Sequence, residues 1–120
     1  MKIIKKHHIM CFDVDQTLVM WPETGLIRSK CVICYDVHTA DTHYLLPNKA
    51  HIKLLKKAKA KGKCVIVWSS GGWEWASEVV DVLDLSVYVD IIMDKPEHMV
   101  DDLPLEKWGN RIYLEKGYGK

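Results

Sequence analysis

The sequence has no hydrophobic run long enough to cross a membrane and no excess of charge of either sign. A membrane-spanning helix needs about 20 apolar residues, and the lysine-rich start lacks the long apolar core of a signal peptide. The 17 lysines and arginines nearly balance the 16 aspartates and glutamates, so the net charge of +1 gives no argument for binding nucleic acid. Internal repeats and low-complexity linkers are also absent. These absences favour a cytoplasmic protein without a membrane partner.

Cysteines are few, and their positions argue against a disulfide framework. Cys11 and Cys64 lie in apolar, strand-like segments, where cysteine usually behaves as a small hydrophobic residue. Cys31 and Cys34 form a single CxxC pair in a β-type segment, which directs their thiols to opposite faces. The absence of a second CxxC pair favours reduced thiols. A zinc-binding interaction module stays open as an alternative, with further ligands from His7, His8, His38 and His43.

The pattern of hydrophobic residues predicts one α/β domain over residues 1–120, long enough to bury a core. A helix is expected from Asn48, a good N-cap, to Gly62, a suitable helix-ending residue, and a second helix over residues 73–83. Residues 31–35 and 42–46 flank a polar turn and predict a β-hairpin. The remaining apolar segments are predicted strands, at residues 9–12, 64–68, 87–93 and 111–115.

Two aspartates and a threonine directly follow the first apolar segment, as Asp13, Asp15 and Thr17. A buried strand brings such carboxylates to the edge of a sheet, where α/β proteins bind their ligands. Two acids this close repel each other unless a cation or a proton separates them. A hard divalent cation with oxygen ligands, Mg²⁺ above all, suits them, and one carboxylate can act as a nucleophile. A calcium-binding loop would need further acids and a glycine that residues 18–20 do not supply.

Polar residues also follow the later apolar segments. Ser69 and Ser70 end the strand over residues 64–68 and precede two glycines and a helix, an arrangement that can hold phosphate oxygens. Lys95 stands before a proline, which keeps its backbone extended. A short apolar segment then leads to paired acids, Asp101 and Asp102. Each segment alone is compatible with an ordinary turn, but their order along the chain is not typical of chance.

In that order, the four segments resemble the four motifs of the haloacid dehalogenase (HAD) superfamily of phosphohydrolases. Asp13 to Thr17 resembles the first motif, DxDxT, with Gln16 where many members have glycine. The other three motifs are matched by Ser69, by Lys95, and by the pair Asp101 and Asp102. The resemblance spans nearly the whole chain, and the spacing between the third and fourth motifs is similar to that of compact members without a cap domain.

The resemblance implies a three-layer Rossmann-like fold, with a mostly parallel central sheet and helices on both faces. The strand that carries Asp13 should lie at the centre, between the strands that end at Ser69 and at Asp101. Residues 26–46, which include the hairpin, correspond to the flap that follows the first strand in this family. The segment is too short to be a separate cap domain.

The resemblance also implies a role for each matched residue. Asp13 would be the nucleophile that forms an aspartyl-phosphate, and Asp15 the general acid and base. Phosphate-binding side chains would come from Thr17, Ser69, Ser70 and Lys95. Mg²⁺ would be held by the Asp13 carboxylate, by the backbone carbonyl of Asp15 and by Asp101 or Asp102, between which the sequence does not choose. The acid at Asp15 favours a phosphatase, because members that cleave carbon–halogen bonds lack it.

The substrate is less constrained than the chemistry. A small phosphomonoester, such as a nucleotide or a sugar phosphate, is the preferred interpretation. A site without a cap domain also suits a macromolecular phosphate, such as a nucleic-acid end or a phosphoprotein, and closure by the hairpin or by a second subunit in a homodimer is compatible with it. A phosphate-binding module without catalysis is the remaining alternative. Stacking on the substrate or packing in the core are both open for the aromatic residues near the predicted site, Trp21, Trp73 and Trp75.

Overall fold

The computed structural model of the chain describes residues 8–22 and 28–114. These residues form a small α/β protein with six strands and two α-helices. In chain order the elements are β1 (Ile9–Asp13), β2 (Val19–Met20), β3 (Val32–Asp36), β4 (Asp41–Pro47), α1 (Lys49–Ala60), β5 (Cys64–Ser69), α2 (Trp73–Val82) and β6 (Ile91–Asp94). Short 3₁₀ turns occupy Arg28–Lys30, Ser86–Tyr88 and Leu105–Lys107. None of the described helices is both long enough and apolar enough to cross a membrane.

The main sheet is parallel and has the strand order β1-β5-β6. Asp13 lies opposite Trp68, and Ser69 lies opposite Asp94, so the carboxyl ends of all three strands meet at one edge. The predicted order was wrong, because β5 and not the Asp13 strand occupies the centre. Within residues 8–22 and 28–114, no strand pairs with the outer edge of β1.

The predicted hairpin is confirmed as an antiparallel pair, β3 and β4, joined by residues 37–40. β2 adds to β4 and completes a second sheet in the order β2-β4-β3. The backbone N–H of Tyr35 donates to a carboxylate oxygen of Glu78 at 2.7 Å, which attaches the hairpin to α2. The part of the predicted flap at residues 26 and 27 lies outside the described residues.

Both helices begin and end close to the predicted residues. Asn48 is buried, and its side chain accepts a hydrogen bond from the backbone N–H of His51, as expected of an N-cap. Gly62, at φ +84°, follows the end of α1 in the left-handed region that glycine tolerates best. The helices and both sheets share one core, in which complete burial of a leucine or valine contributes roughly 1.5–3 kcal/mol. Its fully buried members include Leu18, Leu45, Leu55, Val65, Val67, Val79 and Leu85.

The chain after β6 differs most from the prediction. No strand leads to Asp101 and Asp102, which are both exposed, and the side chain of Val100 is fully exposed. Prolines at 96 and 104 bracket this segment and remove two backbone donors that a strand would use. Residues 111–114 are not a strand either, and residue 115 lies outside the described part of the chain. The described residues therefore form a mostly parallel three-stranded sheet with two helices, and the three-layer HAD arrangement stays a prediction.

Candidate functional site

Three of the predicted residues meet at the carboxyl end of β1. The Nζ of Lys95 lies 3.9 Å from Oδ1 of Asp13. The hydroxyl of Thr17 donates to the other oxygen, Oδ2, at 3.3 Å. The backbone N–H of Lys95 donates to the carbonyl of Ser69 at 2.9 Å, which fixes the lysine beside the end of β5. Because both side chains of the ion pair are partly exposed, the pair adds little stability, and its importance is the positive charge beside a carboxylate.

The turn after Asp13 is built around the buried residue Val14. Its carbonyl accepts from the backbone N–H groups of Thr17, Leu18 and Val19, at 3.2, 2.9 and 3.2 Å. This tight turn requires Gln16 to adopt φ +59°, where a residue with a side chain is disfavoured by roughly 1–2 kcal/mol. The Gln16 side chain offsets part of this cost, since its Oε1 accepts from the backbone N–H of Trp21 at 2.8 Å. The hydrogen bond to Trp21 thus helps a residue other than glycine to occupy this left-handed position.

Asp15 is held by two tryptophans. Its Oδ1 accepts from the indole Nε1–H groups of Trp21, at 2.8 Å, and Trp75, at 3.1 Å. The two rings lie 6.2 Å apart, and the ring of His43 on β4 contacts both. For Trp21 and Trp75 the sequence leaves two roles open, stacking on the substrate and packing in the core. The structure shows a further role, hydrogen bonding to Asp15. Trp73 is instead 53% exposed.

The segment after β5 is held by Ser69, whose side chain is fully buried. Its Oγ accepts from the backbone N–H of Gly71 at 3.0 Å. A Cβ at Gly71 would lie 3.3 Å from that Oγ and 3.3 Å from a ring carbon of Trp75, so this position favours glycine. Ser70 is exposed. The phosphate-binding role of both serines stays a prediction.

Sequence reasoning missed Asp94, although it directly follows a predicted strand and precedes Lys95. Its Oδ1 accepts from the backbone N–H of Trp73 at 2.6 Å. A carboxylate at a helix N-terminus is stabilised by the exposed N–H groups and by the helix dipole. Asp94 thereby ties the end of β6 to the start of α2, next to the glycines that follow Ser69.

A cleft of about 910 Å³ lies beside this site. Its lining includes Asp13, Asp15, Thr17 and Lys95, together with the edge of β1. The chain after β6 contributes residues 105 and 108–113 to the same cleft. The cleft is also lined by four phenylalanine, tyrosine or tryptophan side chains, of Phe12, Trp68, Trp108 and Tyr113, and by two further cations, Lys63 and Arg111.

The predicted metal ligands are only partly brought together. Asp101 and Asp102 are exposed and do not line the cleft that contains Asp13 and Asp15. The backbone N–H of Leu103 donates to Oδ1 of Asp101 at 2.9 Å, and this bond, with hydrogen bonds from Asp102, lowers the pKa of Asp101. Within residues 8–22 and 28–114, no group of three or more histidine, cysteine or acidic side chains could hold a metal ion. The residues as they stand do not form a complete Mg²⁺ site, since the expected third ligand lies elsewhere.

A histidine and a tyrosine outside the predicted site contact the turn after Asp15. His51 on α1 is 2% exposed, and its Nδ1 lies 2.7 Å from the carbonyl oxygen of Thr17. The hydroxyl of Tyr113 donates to the carbonyl of Gln16 at 2.9 Å. Sequence reasoning missed both residues, because the tyrosine is 97 positions from its partner and no periodic pattern connects them.

The CxxC pair gives little support to a zinc site. Cys34 is fully buried on β3. Burial, followed by the nearby carboxylates of Glu78 and Asp15, raises the pKa of its thiol to about 12. Zinc binds the thiolate, which is therefore disfavoured at this position.

The raised pKa of Cys34 predicts a loss of stability at high pH. An unfolded thiol ionises near its ordinary pKa of 9.0, whereas the folded thiol keeps its proton until about 12. The unfolded state then binds fewer protons than the folded state, so the free energy of unfolding should fall as pH rises from about 9. We expect Cys34→Ala to reduce this fall, measured by urea unfolding at pH 7 to 10. Cys31→Ala is the control, and equal slopes for wild type and Cys34→Ala would contradict the prediction.

Comparison of the chain with models of protein families, with curated proteins and with solved structures found no match. Membership in the HAD superfamily therefore stays a prediction from the four sequence segments. The functional interpretation depends on those segments and on the geometry around Asp13.

Proposed function

We propose that the chain is a Mg²⁺-dependent phosphomonoester hydrolase of the HAD type that acts through an aspartyl-phosphate on Asp13. The observation that carries the proposal is the position of the Asp13 carboxylate, at a strand end beside the cleft and 3.9 Å from the ammonium group of Lys95. A cation beside a nucleophilic carboxylate reduces its repulsion from a phosphate dianion. Since Thr17 occupies Oδ2 of Asp13, Oδ1 is the oxygen on the lysine side.

The proposed reaction has two steps. An oxygen of Asp13 attacks phosphorus, forming one P–O bond while the bond to the leaving alcohol breaks, and Asp15 gives a proton to the leaving oxygen. Water then attacks phosphorus while Asp15 takes a proton from the water, the bond between phosphorus and the Asp13 oxygen breaks, and inorganic phosphate leaves with the Asp13 carboxylate restored. Lys95, which lines the cleft, is proposed to stabilise the charge on the phosphoryl oxygens. Ser69 and Ser70 do not line the cleft, and their phosphate-binding role is only what the resemblance implies. Bound Mg²⁺ would supply further charge compensation.

The contacts of Asp15 support its proposed role. Both indole N–H groups donate to Oδ1 of Asp15, which fixes the orientation of the carboxylate. Neither of these bonds uses Oδ2, so Oδ2 is the oxygen proposed to carry the transferred proton. A general acid needs a defined position within hydrogen-bonding distance of the group that it protonates. Trp21 and Trp75 are therefore proposed to orient the proton donor.

The cleft supports a small substrate. Its volume of about 910 Å³ lies within the range of roughly 300–1,000 Å³ that is common for small-molecule sites. Aromatic and cationic side chains in its lining, such as Trp108 and Arg111, suit a nucleotide or a sugar phosphate. A macromolecular phosphate is the second candidate, since no separate cap domain covers the cleft within residues 8–22 and 28–114, but the net charge of +1 does not favour long nucleic acid.

The test is hydrolysis of an aryl phosphate with and without Mg²⁺, followed by a panel of nucleotides, sugar phosphates and DNA ends. Mg²⁺-dependent phosphate release is the expected result. If no substrate in the panel is hydrolysed, binding of beryllium fluoride with Mg²⁺ separates two alternatives. Binding would indicate an unusually specific enzyme, and its absence would refute the covalent route and favour a module without catalysis.

The tryptophan contacts predict a loss of turnover in Trp21→Phe. The substitution keeps an aromatic ring but removes the N–H that binds Asp15, so the carboxylate should lose part of its orientation. We expect kcat to fall by roughly tenfold, in line with the loss of one positioning contact to a general acid. Trp73→Phe is the matched control, because that exposed indole lies on the same segment as Trp75 but is not one of the two donors to Asp15. Equal rates for the two variants would refute the positioning role of Trp21.

A further inference from the structure

His51 connects two separate segments through its two ring nitrogens. Nδ1 lies 2.7 Å from the carbonyl oxygen of Thr17, which only accepts hydrogen bonds, and 3.1 Å from the side-chain nitrogen of Asn48, which only donates them. The shorter contact, to Thr17, favours a proton on Nδ1. Nε2 lies 2.7 Å from the backbone nitrogen of Leu114 and accepts its N–H, so Nε2 carries none. The buried ring thus joins the turn on one side to Leu114 on the other.

Tyr113 supplies a second connection between the same two segments. Its hydroxyl donates to the carbonyl of Gln16 at 2.9 Å. Its ring packs edge-on against His51, with the ring centres 5.1 Å apart and the planes at 69°. Residues 111–114, called the strap below, are therefore connected to two consecutive carbonyls of the turn. Tyr113 binds the carbonyl of Gln16 directly. The backbone N–H of Leu114 binds His51, and His51 binds the carbonyl of Thr17.

The turn that the strap binds is the one that carries the reacting groups. Gln16 directly follows Asp15, and Thr17 donates to Asp13 through its hydroxyl. Three backbone N–H groups of the turn bind the carbonyl of Val14. The contacts from Tyr113 and His51 are made to other groups of the same turn, the carbonyls of Gln16 and Thr17. A displacement of about 1 Å at a reacting group can cost up to about 100-fold in rate.

We propose that the strap positions Asp13 and Asp15 for reaction, with His51 and Tyr113 as the positioning residues. The expected effect of the strap on the reaction rate rests on the proposed phosphatase function, whereas the contacts between the strap and the turn do not depend on that function. The strap also lines the cleft through Arg111, Ile112 and Tyr113. The strap thus both lines the cleft and holds the turn that follows Asp13.

The first test is Tyr113→Phe, which removes one hydroxyl and keeps the ring against His51. We expect kcat for an aryl phosphate to fall about tenfold while KM changes less than about twofold, because the substitution displaces reacting groups and leaves the binding wall in place. Amide exchange at residues 17–19, followed by NMR, should become several-fold faster. Tyr88→Phe is the control, since Tyr88 lies beside Lys56 on α1 and contacts neither the turn nor the strap in any described interaction.

The second test compares two substitutions of His51. In His51→Asn the side-chain amide can still donate to Thr17, whereas His51→Ala removes both connections. If the link matters for positioning, His51→Asn should retain several-fold more kcat than His51→Ala at closely similar melting temperatures. Equal kcat values for the two variants would overturn the proposal, since a general loss of packing would lower activity together with the melting temperature.

The exchange measurement separates failure of this inference from failure of the proposed function. Unchanged exchange at residues 17–19 in Tyr113→Phe would refute the link, whatever the activity. Faster exchange in a protein whose wild type neither hydrolyses a phosphate ester nor binds beryllium fluoride with Mg²⁺ would support the link and refute the phosphatase. Faster exchange with an unchanged kcat in an active enzyme would show that the strap holds the turn without positioning the reacting groups, which overturns the proposal.

Discussion

Asp13→Asn is expected to reduce phosphate release from an aryl phosphate at least about 1,000-fold, since removal of a nucleophile leaves only the contribution of binding and charge stabilisation. An amide nitrogen or oxygen at this position is a poor nucleophile toward phosphorus. The variant should still fold, because asparagine has the same shape and can accept a hydrogen bond from Thr17 in place of Oδ2. Loss of the partly exposed ion pair with Lys95 should cost at most about 1 kcal/mol. Initial rates and thermal melting test both parts.

The control for Asp13→Asn is Asp81→Asn, at an exposed position on α2. It removes one negative charge from the protein without changing the cleft, so its rate should equal that of wild type. Beryllium fluoride with Mg²⁺ should inhibit wild type and fail to bind Asp13→Asn, because it mimics a phosphate bound to the carboxylate. Near-normal turnover by a correctly folded Asp13→Asn would remove Asp13 from the mechanism and with it the HAD assignment.

Local sequence signals were sufficient for the elements that frame the site. Asn48 and Gly62 mark the two ends of α1, since a side-chain cap and a left-handed glycine act within a few residues of the helix. The strand over residues 64–68 was predicted from its continuous apolar run and occupies Cys64–Ser69. The hairpin follows from two β-rich segments around a polar turn. In each case the interactions that determine the element lie within it or next to it.

Prediction failed where the structure depends on distant partners. A strand was expected before Asp101 because of a short apolar run, but whether such a run pairs depends on an available sheet edge and on flanking prolines. The hydrogen bond from Trp75 to Asp15 joins residues 60 positions apart, and the one from Leu114 to His51 joins residues 63 apart. Hydrophobic periodicity reports which face of an element is buried, and it does not report which distant side chain lies opposite.

Asp101→Asn and Asp102→Asn address the largest difference between the proposed chemistry and the structure. If the chain binds Mg²⁺ in the HAD manner, one of these two carboxylates must contribute to the site beside Asp13. We then expect one of the substitutions to raise the Mg²⁺ concentration for half-maximal activity by at least about tenfold, since loss of a ligand or its supporting group commonly weakens a metal site by 10–100-fold. Activity titrated with Mg²⁺, with Asp81→Asn as the charge-matched control, measures the effect.

The result of that titration also decides how residues 95–104 are arranged in the working protein. The outer edge of β1 has no strand partner within the described residues, and an unpaired edge is able to accept a further strand. The segment that contains the fully exposed Val100 is the candidate for that strand. A strong effect at Asp101 or Asp102 would mean that this segment approaches β1 when Mg²⁺ binds. If neither substitution changes the Mg²⁺ requirement while Asp13→Asn abolishes activity, the two acids have no part in the site. The resemblance of residues 97–102 to the fourth motif would then be a coincidence of sequence.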